Sequence, residues 1–351
     1  MMPTPPSTQS RRRLALAGLV AVIAAVISAL VASIGETPAS GAGVSPGMAL
    51  QVVRAYDRAE TRATLQLSTA GQNAVEAAPE ATIDDATFAG LRAQGQRRTP
   101  PEPQTDVRIV TYVPLQHRGA QTFAAYVSSR VRGQLGAILM VFQRASGHAR
   151  WRQSLSPAYP GGGSPPAVAV GSSGYAHRLD PAAQIDRLRL TAATVAADYA
   201  GLLELAVRGD QLVGGDPFAA GTFTSQLAAT DRQTVSQVEG TGAGSSGTAA
   251  PAAFPELALE LRGGGALVLF TVTVRQRFTA RPGLSLVQGA GRTPWSALVA
   301  PGTYRSIATT TLMTVAALVP PKRSTRRVRV VAETGAVVRV AAQPAGGSIT
   351  T

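Results

Sequence analysis

The chain has 351 residues, enough for two ordinary domains, and 45% of them are hydrophobic, which excludes wholesale disorder. It has no cysteine, which excludes disulfides, thiolate metal sites, cysteine nucleophiles and lipid attachment through a lipobox cysteine. Lys and Arg outnumber Asp and Glu by 33 to 20, and the resulting net charge of +13 fits either an anionic neighbour or plain colloidal solubility.

Residues 1–13 read as a basic cytoplasmic tail ending in Arg11-Arg12-Arg13, and Leu14 to Ile34 is an uncharged apolar run. At ~1.5 Å of rise per residue such a run crosses a hydrocarbon core of ~30 Å, so residues 14–34 read as a transmembrane signal anchor. The arginines stay inside and the rest of the chain is exported. A cleavable signal peptide is the alternative, although its apolar region usually runs only about 7–15 residues. Residues 35–47, with "TPASGAGVSPG", form a flexible tether.

Residues 48–156 read as a first α+β domain. Ala49, Val52, Tyr56, Ala59 and Ala63 fall on one helical stripe, and a second helix begins after Thr82 with Asp84 and Asp85 in its first turn. Strands are expected at Val107–Val113, Gln121–Ser129 and Gly136–Ala145, then a turn at Ser146-Gly147 and a returning strand "HARWRQSL". Residues 157–184 read as a Gly/Pro/Ser-rich linker. Residues 185–343 repeat the plan as a second α+β domain, and 344–351 as a disordered tail. Its helical stripe is Leu188, Ala192, Val195, Tyr199, Leu202 and Ala206. Its strands are expected at Glu256–Leu261, Ala266–Phe278, Ser306–Val319, Arg327–Ala332 and Ala336–Ala341, the last two joined by a tight turn at Glu333-Thr334-Gly335. The stretches Gly240–Ala253 and Arg281–Trp295 read as loops. Val52 and Tyr56 have the spacing of Val195 and Tyr199, and each half closes on a Gly-turn hairpin, which points to a duplication.

The expected fold class is therefore α+β: an N-terminal transmembrane helix, then two similar helix-plus-antiparallel-sheet domains. This order of elements resembles the NTF2-like and cystatin-like folds. The hairpin "RASGHARWRQ" resembles the close of NTF2-like domains in actinobacterial envelope proteins, including Mce-associated ones. The exported region as a whole, with "PPKRSTRRVRVVAETGAVVRV" as its most individual piece, resembles an uncharacterised actinobacterial family of secreted or membrane-anchored proteins. That resemblance implies fold and location and carries no activity.

Chemistry-bearing residues are sparse. His148 and Trp151 belong to the hairpin, with no carboxylate nearby in sequence to orient a general base. His117 and His177 stand apart, without zinc-ligand spacing, and "GSSGYAHRLD" lacks a nucleophile-elbow pattern. Tyr56, Asp57 and Tyr112 are the candidates an NTF2-like cone would offer, but nothing selects them over ordinary packing. "RGGGA" (Arg262 to Ala266) lacks the following helix of a phosphate loop and reads as a hairpin turn. No catalytic, cofactor or metal residues are assigned. The one candidate site is the basic cluster Lys322, Arg323, Arg326, Arg327 and Arg329, which follows Pro320-Pro321. It reads either as a rigid tip that meets an anionic lipid surface or wall polymer, or as a solvated arginine-rich loop. Without interleaved aromatics it is not a nucleic-acid platform. The expected function is a membrane-anchored extracytoplasmic binding or scaffold protein of the cell envelope, whose partner is such an anionic surface or another envelope protein. An enzyme with a pocket inside one sheet cone, or a structural spacer, is the alternative.

Overall fold

A computed structural model describes residues 43–96, 104–116, 119–211, 217–254, 256–288 and 298–345. The first helices are α1 (Pro46–Leu65), α2 (Thr69–Val75) and α3 (Glu80–Ala93). Pro46 presets the first turn of α1, and the Ser45 side chain accepts from the Met48 backbone N–H, which satisfies one of the donors a helix start leaves free. Strands β1 (Thr105–Tyr112), β2 (Gln121–Val131), β3 (Gln134–Arg144), β4 (Arg152–Leu155) and β5 (Ala158–Tyr159) follow. Next come α4 (Pro181–Arg187) and α5 (Ala192–Arg208), the latter capped by Thr191 and ended by Gly209 in the left-handed conformation at φ 83°. A five-residue π-turn (Thr222–Gln226) leads into α6 (Leu227–Gly240). The remaining strands are β6 (Ala243–Pro251), β7 (Leu257–Glu260), β8 (Ala266–Ala280), β9 (Leu286–Gln288), β10 (Gly302–Val319) and β11 (Arg329–Pro344).

Among the described residues all eleven strands belong to one sheet, in the order β1-β2-β3-β5-β11-β10-β8-β6, with β4 beside β3, β7 beside β8 and β9 beside β10. Every pairing between the strands is antiparallel. Directly opposed residues share a face, so the register Ile138–Ala158–Glu333–Val315–Phe270 traces one side of the sheet across both halves of the chain. Helices cover this side. Val53 and Tyr56 of α1 pack with Phe123, Ile138 and Phe142, and Val195, Tyr199 and Leu203 of α5 pack with Phe270 and Val315.

The other side closes on itself. Tyr126 and Leu139 from β2 and β3 share a core cluster with Leu267 and Leu269 from β8, which requires the sheet to curl toward that side. The strip 167–179 completes the ring. Ala176 donates to Val113 O just past β1 (2.8 Å), while Leu179 donates to Ala258 O (3.0 Å) and Glu260 to His177 O (2.8 Å) on β7. The result is barrel-like, with a packed interior and its helices outside.

This arrangement overturns the expectation of two similar NTF2-like or cystatin-like domains, in which a curved sheet wraps a helix. The physical reason lies in the presumed linker. Ala158 pairs with Ile138 of β3 on one side and Glu333 of β11 on the other, so the hydrogen-bond ladder never stops between the halves. Two local readings change with it. Glu333-Thr334-Gly335 is no turn, because β11 runs straight through it, paired with Val315, Thr314 and Met313. The presumed loop at Gly240–Ala253 contains β6. Its small residues let α5 approach, since a Cβ on Gly247 would lie 2.5 Å from Val207 Cγ2. The apolar run 14–34 lies outside the described residues, and among those described no helix is long and apolar enough to cross a membrane.

Candidate functional site

Several loops converge at one end of the curled sheet, where β10 stops and β11 starts. The β7–β8 turn holds Gly263, Gly264 and Gly265 at φ 88°, 90° and 83°, and "RGGGA" is the hairpin turn expected from sequence. Gly265 is required there, because a Cβ would sit 2.5 Å from Val319 O. Gly264 in turn faces Pro321, which opens the basic loop 321–328.

That loop is pinned along its length. Lys322 donates from its backbone N–H to Arg187 O (2.8 Å) and from Nζ to Ile185 O (3.0 Å). Arg189 Nη1 reaches Ser324 O (3.0 Å), and the Arg326 backbone N–H donates to Ser324 Oγ (3.1 Å). Val328 is held by Pro217 O (2.9 Å) and by the Ala219 N–H (2.7 Å). The five sequence candidates Lys322, Arg323, Arg326, Arg327 and Arg329 are all brought together here, and all five are exposed. Among the described residues none of the five forms a salt bridge. The four arginine charges therefore face water from a loop whose backbone is fixed, while the exposed Lys322 ammonium bonds Ile185 O.

Beside the loop, a groove of about 440 Å3 is lined by Tyr159, Pro160, Pro165, Pro166, Phe223, Leu318, Val330 and Val331, with Arg329 at its wall. Leu318 and Arg329 are directly opposed in the register. Tyr159 belongs to the interior cluster and Leu318 and Val331 pack against it, so the groove is the mouth of the curled sheet. The strap over it is tied down from inside. Tyr112 Oη donates to Pro166 O (2.8 Å) and Tyr126 Oη to Gly163 O. Tyr126 and Tyr159 meet edge-on with centroids 5.8 Å apart. Burial pushes the Tyr112 and Tyr159 hydroxyls up, so they remain neutral donors. Arg108 and Arg262 act on Tyr112 in the opposite sense, adding two cations to the neighbourhood of the strap. Sequence reading missed the groove because "SPAYPGGGSPP" has the composition of a linker. Its one available signal was Tyr159, an aromatic amid glycine and proline.

The remaining candidates are scattered. His148 is exposed in the turn. Trp151 is partly buried against Phe123 (4.9 Å) with the Arg144 guanidinium over its ring (4.7 Å). The returning strand expected over "HARWRQSL" begins only at Arg152, so His148 lies outside it. His117 lies outside the described residues. His177 Nδ1 sits 3.3 Å from Glu260 Oε2, whose other oxygen accepts from Arg187 (3.0 Å), in a second groove of about 430 Å3. This groove supplies an orienting carboxylate for a histidine, which sequence did not reveal, but among the described residues no hydroxyl or thiol lines it. Among the described residues no group of His, Asp and Glu is arranged to hold a metal.

Asp84 and Asp85 are not at a helix start, since α3 begins at Glu80. They belong with a buried acidic layer under α1–α3. Tyr56 Oη donates to Glu76 Oε1 (2.7 Å), Gln72 Nε2 bridges Glu76 and Asp84 (2.7 Å to the latter), and Ser156 Oγ donates to Glu80. Burial first, and then neighbouring carboxylates, push Glu76 and Glu80 well above the usual range. Neutral, protonated carboxyls explain how these groups tolerate one another. Asp57 is pushed up to about 8 by burial.

A family model described as a domain of unknown function, DUF8094, matches residues 42–342, and the chain belongs to that family. No curated protein and no solved structure is a significant match to the chain.

Proposed function

For this member of a family of unknown function, we propose a binding role at the cell envelope. The apolar run 14–34 tethers the chain to the membrane, and the folded part beyond it meets an anionic surface through the loop 321–328 and Arg329. The observation that carries this reading is the pinned loop with five exposed cations and no salt bridge among the described residues. A fixed backbone means that little ordering entropy is lost when the loop meets its partner. Each cation near an anionic surface contributes about 1 kcal/mol, within a Debye length of ~8 Å at physiological salt. A tether adds effective concentration, so a modest contact suffices.

The test uses the full chain reconstituted in nanodiscs of phosphatidylcholine and mixed with vesicles of phosphatidylglycerol or of phosphatidylcholine alone. Flotation with the anionic vesicles only is expected. Replacing Lys322, Arg323, Arg326 and Arg327 together by Gln should release the protein, as should added salt. Flotation indifferent to both changes would exclude the loop as the contact, and recovery of the intact chain from the soluble cytosolic fraction would exclude the tether.

A further inference from the structure

We infer that the groove beside the basic loop takes one acyl chain of an anionic membrane lipid, with the headgroup held by Arg329. This rests on the reading of the loop as an anionic contact and adds a lipid-specific site to it. Three observations converge. The walls combine apolar and aromatic side chains, Tyr159, Pro165, Phe223, Leu318 and Val331, with the polar Ser164, Thr222 and Arg329, and the volume of about 440 Å3 lies within the ~300–1,000 Å3 of small-molecule clefts. Arg329 stands at the wall opposite Leu318, so charge and apolar surface are adjacent, as they are in an acidic lipid. No acidic side chain lines the groove among the described residues, so an anionic headgroup meets no repulsion from its walls.

The site is also preformed. The strap is held by Tyr112 and Tyr126, and the π-turn that supplies Phe223 is fixed by the Tyr199 hydroxyl, which donates to Phe223 O (2.8 Å). The mouth of a curled sheet is where an apolar interior comes nearest to solvent, and its last layer here, Leu318 and Val331, is only partly covered by protein. A bilayer lipid is the occupant whose charge matches the loop and whose tail matches the groove at once.

The experiment reconstitutes the full chain in vesicles containing phosphatidylglycerol with a diazirine on one acyl chain. Irradiation and peptide mass spectrometry then locate the labels. Labels on Tyr159–Ala167, Thr222–Phe223 and Arg329–Val331 are expected. Ser164 is exposed on the groove lining, so Ser164→Trp fills the groove without entering the core. That variant should lose groove labelling by about fivefold or more while still floating with anionic vesicles, and Arg329→Gln should lower labelling by about fivefold. A diazirine phosphatidylcholine should label the groove weakly. Labels confined to Leu14–Ile34, or groove labelling unchanged by Ser164→Trp, would overturn the groove proposal and leave the loop reading intact. Groove labelling that persists with a neutral headgroup would overturn the role of Arg329. Loss of flotation with groove labelling retained would instead count against the loop.

Discussion

Asp57 lies in the middle of α1 and is 5% exposed, and burial pushes its carboxyl up from 3.8 to about 8, with Arg58 acting in the opposite direction. A carboxyl whose folded value is raised binds its proton more tightly in the native state. Its contribution is then complete below the unfolded value and is lost as pH rises toward the folded one. Between pH 3.8 and pH 7 the full linkage amounts to a ceiling of about 4 kcal/mol, at about 1.36 kcal/mol per pH unit. Relaxation of the protein around a buried carboxylate lowers such a ceiling, so about 2 kcal/mol is the working expectation. Asp57→Asn keeps the shape and removes the titration. It should stabilise the protein at pH 7.5, raising Tm by about 4 °C, and should leave stability at pH 4 little changed. Glu76, Glu80, Glu333 and Asp231 are all raised by burial as well, so the wild-type protein should lose stability steadily from pH 4 to pH 8. Calorimetry of both proteins across that window is the assay. A wild-type Tm that rises with pH, or an Asn variant less stable than wild type at pH 7.5 with an unchanged slope, would refute the reasoning.

Two further substitutions probe the sheet. A Cβ on Gly335 would lie 2.9 Å from both Leu312 O and Met313 Cγ, so Gly335→Ala should cost ~1–3 kcal/mol in urea unfolding, whereas a residue in an exposed hairpin turn would tolerate it. At the open edge of β6, Arg208 Nε donates to Gly247 O (2.9 Å), while Glu204 accepts from the Ala249 N–H (3.0 Å) and pairs with Arg208. These side chains occupy backbone groups that another strand could otherwise join. Arg208→Ala should lose about 1 kcal/mol and show concentration-dependent association by light scattering.

Periodicity made the longest elements legible. The stripe at Ala49–Ala63 lies within α1, and the stripe begun at Leu188 lies within α5 from Ala192 to Ala206, since Leu188 sits just past α4 and bridges Pro321. The β-branched runs at Ala266–Phe278 and Ser306–Val319 lie within β8 and β10. Composition misled wherever close packing demands small residues. "GAGSSGTAAP" reads as a loop, yet it forms β6, and its Gly247 makes room for Val207 of α5. Thr334-Gly335 reads as a turn, yet Gly335 makes room for Met313 within a strand. The basic cluster was visible because charge needs no partner to be read, whereas the groove beside it is assembled from four distant segments and leaves no local pattern.

The repeated pair of spacings, Val52 with Tyr56 and Val195 with Tyr199, also acquires a physical meaning that differs from duplication of a domain. Each tyrosine reaches from an outer helix to a buried glutamate, but Tyr56 bonds Glu76 at the end of another helix, while Tyr199 bonds Glu333 in the sheet itself. The first helical layer rests on β2 and β3 through Val53 and Tyr56 of α1, and α3 adds a contact with β11. β11 thus receives α3 and β5 from the N-terminal half and α5 and β10 from the C-terminal half, and its first residue is Arg329 at the groove. The N-terminal helices cover β2 and β3 without that strand, but the ladder from β5 to β10 runs through β11, which argues against a fusion of two finished units. The same strand joins the cationic rim to the core, which gives a surface contact at Arg329 a rigid base.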